Sequence, residues 1–165
     1  MSESNASAPG FPIVEQLPVR LGVGERRAIR DLAQRIRAAD PAIGSTRWVG
    51  DRVRVGAGRG PALFIHDTAA IQAGGRWHPS ALEYRALPLA GAGDLVVLWT
   101  PRVSAFERYY RDVLDLGAVE VLRTTTVAAG SSLAERARRD AEVVTRAAGI
   151  ARSAGGLTVH PYIGA

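Results

Sequence analysis

The stretch Ala90-Gly-Ala-Gly-Asp94-Leu-Val-Val-Leu-Trp-Thr-Pro101 decides the fold class. A glycine-rich turn delivers an unbroken apolar run, Leu95 to Trp99, and Thr100-Pro101 stops it. A strand with one wet face alternates apolar and polar residues. A run that is apolar at every position is the pattern of a strand covered on both faces, as in a parallel sheet.

Downstream, Ser104 with Glu107 has the spacing of a capping box, in which the serine accepts from an orphan N–H and the glutamate reaches back to the cap. It opens a helix with Phe106, Tyr109, Tyr110, Val113 and Leu114 on one stripe and Gly117 as its stop. A second strand follows at Val119-Glu-Val-Leu122. Ser132 with Glu135 repeats the capping signal and opens a long helix. Its face of Leu133, Ala137, Ala141, Val144, Ala148 and Ala151 suits close packing on a sheet, and Gly155-Gly156 ends it. Leu157-Thr-Val-His160 is the third strand. Strand, helix, strand, helix, strand at this spacing predicts crossover connections, and hence a Rossmann-like α/β fold with a parallel sheet and flanking helices.

Upstream, Ser80 with Glu83 is a third capping signal. Ala62-Leu-Phe-Ile-His66 is short and apolar enough for a buried strand, and Arg47 to Val55 alternates loosely, as in a strand or hairpin. Gly24 to Asp40 is an amphipathic helix with Ile29, Leu32, Ala33 and Ile36 inward and Arg26, Arg27, Arg30 and Arg37 outward, ended at Asp40-Pro41. Residues 1–16 have no period and are rich in Ser, Ala, Pro and Gly, which predicts a disordered or loosely docked N-terminal arm. Residues 17–165 are expected to form a single α/β domain. That suits a chain of 165 residues with 47% hydrophobic and 22% charged residues.

Composition removes several chemistries. The sequence has no Cys, which excludes disulfides, Cys-ligated zinc, iron–sulfur clusters and thiol nucleophiles and makes the cytoplasm the expected compartment. Its apolar runs fall far short of the roughly 20 residues of a membrane helix, and the polar start MSESNASAPG is not a secretory signal. All 21 basic residues are Arg, so neither a Walker A lysine nor a Schiff-base lysine can come from this sequence. The charge is uneven: residues 25–59 carry nine Arg against four acids, and the remainder twelve against twelve. A basic nucleic-acid-binding module is one reading of that excess, with Arg47-Trp48 and Arg76-Trp77 pairing phosphate contacts with stacking surfaces. Coding bias toward Arg is the plainer one.

Gly56-Ala-Gly58-Arg59-Gly60 precedes a strand rather than opening a helix, so it reads as a hairpin turn and not as a phosphate cradle. His66-Asp67 with His78 offers metal-ligand types, but at a spacing that matches no helical metal motif. There is neither a Gly-x-Ser-x-Gly elbow nor a His-Glu-x-x-His. Ligands of open α/β sheets bind outside the carboxyl ends of the strands. Those ends carry Thr100-Pro101-Arg102, Arg123-Thr124-Thr125-Thr126 and His160-Pro161-Tyr162. The candidate ligand-binding residues are therefore Thr100, Arg102, Arg123, Thr124, His160 and Tyr162. The arginines suit bidentate contact with a carboxylate or phosphate, and the hydroxyls suit short supporting bonds. A small enzyme would use Arg102 or Arg123 to hold an anion and His66 or His160 as acid or base.

The order of these residues resembles the pre-ATP-grasp domain of ATP-grasp peptide ligases. The similarity lies in the Gly93-Asp94 step into an apolar strand ending at Pro101, the aromatic-bearing helix from Phe106, the Val119-Glu-Val-Leu122 strand, and the closing Gly155-Gly-Leu-Thr-Val-His-Pro161-Tyr-Ile-Gly164. It covers roughly Trp77 to Ala165. The resemblance implies a Rossmann-like domain that packs on an ATP-grasp module and helps shape the acceptor-substrate side of a carboxylate–amine ligase. It departs from a full ligase in stopping at Ala165, without a nucleotide-holding lysine or a later set of acidic magnesium ligands. Alone, the chain is expected to be noncatalytic, with no cofactor of its own, and to bind an ATP-grasp module or a small carboxylate or phosphate ligand. Nucleic acid and membrane are not expected partners. Self-association through the apolar strand edges or the arginine face of the first helix is a further reading.

Overall fold

The computed structural model describes residues 23–49, 52–56, 60–66, 81–99, 101, 104–113, 119–125 and 132–162. The elements run α1 (Val23–Ala39), a 3-10 turn (Pro41–Ile43), β1 (Thr46–Val49), β2 (Arg52–Gly56), β3 (Ala62–His66), a 3-10 helix (Ala81–Leu89), β4 (Leu95–Leu98), α2 (Ser104–Arg108) continuing as a π-helical turn (Tyr109–Val113), β5 (Glu120–Arg123), α3 (Leu133–Arg139), α4 (Ala141–Ala154) and β6 (Gly156–Tyr162). The proposed arm, residues 1–16, lies outside the described residues.

The six strands form one sheet in the order β1-β2-β6-β3-β4-β5. β6, β3, β4 and β5 are mutually parallel, and β1 and β2 are an antiparallel hairpin laid along β6. The fold is thus the expected Rossmann-like α/β class, with a mixed edge. β6 is the last strand in sequence yet lies between β2 and β3, so the chain closes its sheet from the middle.

Alternation along the strands divides the core in two. Val53, Val55, Leu63, Ile65, Leu95, Val97, Leu157 and Val159 meet Ile29, Leu32 and Ile36 of α1 and Leu133, Ala137, Val144, Ala147 and Ala151 of α3 and α4. The other face carries Phe64, Val96 and Leu98 against Tyr84, Ala86, Leu87 and Ala90 of the 3-10 helix segment. All four residues of β4 are buried, as its unbroken apolar run requires. β5 is half-buried throughout, which fits its place at the sheet edge.

Two expectations need correction. The single long helix from Ser132 is two helices, broken at Asp140, whose carboxylate caps α4 by accepting from Glu142 and Val143 N–H. Ala141, assigned to the buried face of one helix, is exposed because the break resets the helical phase. The stripe from Phe106 to Val113 is not a buried face either. The helix passes into a π turn at Tyr109, which shifts the 3.6-residue register; Phe106, Tyr109 and Val113 are exposed, while Tyr110 packs on the second cluster. Leu114 and Gly117 lie outside the described residues.

Candidate functional site

The carboxyl ends of the parallel strands form a continuous rim. His66 is in register with Tyr162, Ile65 with Val97, and Leu98 with Arg123, so Tyr162, His66, Leu98 and Arg123 follow one another across β6, β3, β4 and β5 at one level of the sheet. β5 and β6 are three strand spacings apart, about 14 Å. The six predicted ligand residues therefore divide. Arg123 and Thr124 stand together at the end of β5, and His160 and Tyr162 belong to β6 on the far side of β3 and β4. Thr100 and Arg102 lie outside the described residues, as do Asp67, His78 and Arg76-Trp77.

Arg123 is the centre of the better defined half. Its Nη2 donates to Glu107 of α2 and, at 3.1 Å, to the hydroxyl of Tyr84. That hydroxyl in turn lies 3.3 Å from Glu107 Oε1 and 3.4 Å from the carbonyl oxygen of Pro101. Tyr84 is buried, and its ring stacks on Phe106 with centroids 5.7 Å apart. Four segments of chain thus meet around the Arg123–Tyr84 pair: the 3-10 helix, Pro101 beyond β4, α2 and the end of β5. Nε of Arg123 is buried and finds no acceptor among the described residues. The same holds for Oγ1 of Thr124, a residue only 3% exposed. The backbone of Thr124 still donates to Leu98 O at 2.9 Å, so the threonine is held in the ladder while its hydroxyl is unsatisfied.

Sequence reasoning assigned Glu83 and Glu107 to capping boxes, and here they do other work. Glu83 is buried and accepts from the N–H of Trp99, holding the 3-10 helix to the end of β4. Glu107 faces Arg123 and Tyr84. At Ser132 the capping serine acts as read, accepting from Glu135 N–H at 3.1 Å, while the Glu135 carboxylate holds Arg138 and Arg139. Ser80 lies outside the described residues. Tyr84 was missed as a site residue, because nothing in its sequence neighbourhood separates a core tyrosine from one that carries a hydroxyl to a strand end.

On the β3–β6 side, Phe64 lies between two imidazoles, 5.8 Å from His66 and 5.1 Å from His160 between ring centroids. Burial pulls the His66 pKa down to about 4, with the nearby charges of His160 and Arg85 adding to the effect. His66 is therefore neutral at physiological pH. Among the described residues no group of three His, Asp or Glu side chains could hold a metal ion.

The excess arginines lie mainly on α1 and the β1–β2 hairpin. The Arg26 guanidinium sits 4.9 Å from the centre of the Trp48 ring, and Trp48 also packs against the core. Part of the Trp48 surface proposed to stack on a base is thus taken up by its own chain. A shallow depression on α4, lined by Glu142, Thr145, Arg146, Gly149 and Arg152, has its cations engaged: Arg146 holds Glu120 through two bonds of 2.5 Å, and Arg152 holds Asp40. No described helix is long and apolar enough to cross a membrane.

Comparison with known families places part of the chain. Residues 83–164 match the family described as the Pre ATP-grasp domain, a span that begins at Glu83 and includes the whole Arg123 cluster and β6. Searches of the curated proteins and of the solved structures return no match.

Proposed function

Because residues 83–164 of this chain match the Pre ATP-grasp domain family, we propose that it serves an ATP-grasp carboxylate–amine (peptide) ligase as a noncatalytic domain. Its strand ends would face the ATP-grasp module and take a small acidic ligand on the acceptor-substrate side. The observation that carries this reading is the clustering of Arg123 and Thr124, with unsatisfied polar atoms, at the carboxyl end of a parallel strand inside the matched span. That is where ligands of open α/β sheets bind.

Two features support the noncatalytic part. The sequence supplies no lysine to hold a nucleotide phosphate. The histidine nearest the strand ends on β3, His66, is buried, which leaves it poorly placed to exchange protons with a substrate in solution. His160 and Tyr162, on β6, extend the proposed rim, and Thr100 and Arg102 join it on the sequence reading alone.

The test is ADP formation by the purified chain with ATP, magnesium and a mixture of amino acids. The reading predicts a rate no greater than that of a blank. Turnover that rises with protein concentration and survives repurification overturns it.

A further inference from the structure

Glu107 occupies Arg123 in an incomplete way, and the consequence rests on the strand-end reading above while going beyond it. We propose that Glu107 is a resident carboxylate on an oxyanion site, and that a small ligand bearing a carboxylate or phosphate group binds Arg123 by displacing it.

A guanidinium presents Nε and Nη donors in a planar fork that matches two oxygens of one carboxylate or phosphate. Nη2 donates to Glu107 and also to the Tyr84 hydroxyl. Nε is left buried without an acceptor, and the neighbouring Thr124 hydroxyl is in the same position. Buried donors in this state are unfavourable and uncommon. An oxyanion that engages Nε and Nη2 together satisfies the fork that Glu107 leaves half used.

The exchange keeps the charge balance. One anion replaces another on the same cation, and the released Glu107 carboxylate passes to water, so no net charge is buried. Glu107 also sits on a segment that can give way. None of the residues of α2 or of the π turn after it is fully buried, and Phe106, Tyr109 and Val113 are 44%, 51% and 62% exposed. Little apolar burial holds the segment down, which is the condition for local opening below the global unfolding free energy. Tyr84, by contrast, is anchored in the core and stays to orient whichever anion is bound.

The experiment is a calorimetric titration of inorganic phosphate and, separately, of acetate into the full chain and its Glu107→Gln and Arg123→Gln variants, with hydrogen exchange of residues 104–113 followed in the unmodified chain. Tighter binding by Glu107→Gln than by the unmodified chain, and loss of binding in Arg123→Gln, are expected. Phosphate binding without acetate binding assigns a phosphoryl ligand, and binding of both assigns the carboxylate class. Phosphate should also speed exchange across 104–113, a readout that needs no variant. Equal affinity in the unmodified chain and Glu107→Gln, or unchanged or slower exchange, overturns displacement and leaves the strand-end site standing. Binding that survives Arg123→Gln, or absent from all three proteins, overturns both.

Discussion

Asp94 holds the start of a strand that precedes it by 32 residues: its Oδ1 accepts from the N–H of Ala62 at 2.7 Å, while Oδ2 accepts from Gly91 N–H at 2.8 Å. One carboxylate thereby closes its own turn and fixes the level at which β3 enters the sheet beside β4. The Gly93-Asp94 step has a physical purpose here: Gly93 takes the left-handed φ of 87° that the turn needs, and Asp94 joins two parallel strands at their amino ends. Asp94→Ala orphans two backbone donors and should cost roughly 1–3 kcal/mol in urea unfolding. Asp94→Asn, which keeps one acceptor oxygen, should cost less. An Asp94→Ala variant as stable as the unmodified chain would show that the bond to Ala62 contributes little.

His66 predicts a pH dependence with a definite sign. Its folded pKa is pushed down to about 4, so the native state stays neutral at a pH where the unfolded chain, near 6.5, already binds a proton. The unfolded state then holds more protons, and stability falls as pH drops from about 6.5 toward 4. The slope approaches about 1.4 kcal/mol per pH unit in that window and vanishes above pH 7. His66→Phe removes the titration. Its unfolding midpoint should fall less between pH 7 and 4.5 than that of the unmodified chain, and parallel losses would refute the assignment.

Gly60 has no room for a side chain. A Cβ there would stand 1.6 Å from the carbonyl oxygen of Gly156 and 2.5 Å from its carbon, both backbone atoms that cannot move without displacing β6. Gly60→Ala should therefore destabilise by about 3 kcal/mol or more, at the upper end of overpacking costs. A thermal midpoint within a degree of the unmodified chain would contradict the close approach of β3 and β6.

Asp140 serves two helices, accepting from Glu142 N–H at 3.0 Å and Val143 N–H at 3.3 Å while its own N–H bonds back to α3. Asp140→Ala should cost about 1 kcal/mol, and Asp140→Asn or Asp140→Ser far less. An unaffected alanine variant would mean that α3 and α4 can run on as one helix.

The strands and their parallel sense were legible because β3 and β4 are apolar without alternation and β5 and β6 are bounded by turn residues. The placement of β6 between β2 and β3 was not, since spacing fixes that a crossover exists but not which side of the sheet it returns to. The break at Asp140 carried a readable signal, an aspartate two residues before Glu142, but the small residues on either side preserve a helical period over it. The stripe from Phe106 misled because a π turn cannot be seen in a pattern read at 3.6 residues per turn. Of the candidate site, Arg123 and Thr124 followed from strand-end logic. Tyr84 and the true partner of Glu107 depended on tertiary contact between segments 16 to 39 residues apart.

The most direct test of the proposed strand-end site is an amide-resolved NMR titration of the full chain with inorganic phosphate. The strand-end account predicts that shifts concentrate at Leu98–Trp99, Arg123–Thr125 and the end of β6. Shifts confined to the arginines of α1 and the β1–β2 hairpin, with the strand ends silent, would contradict it.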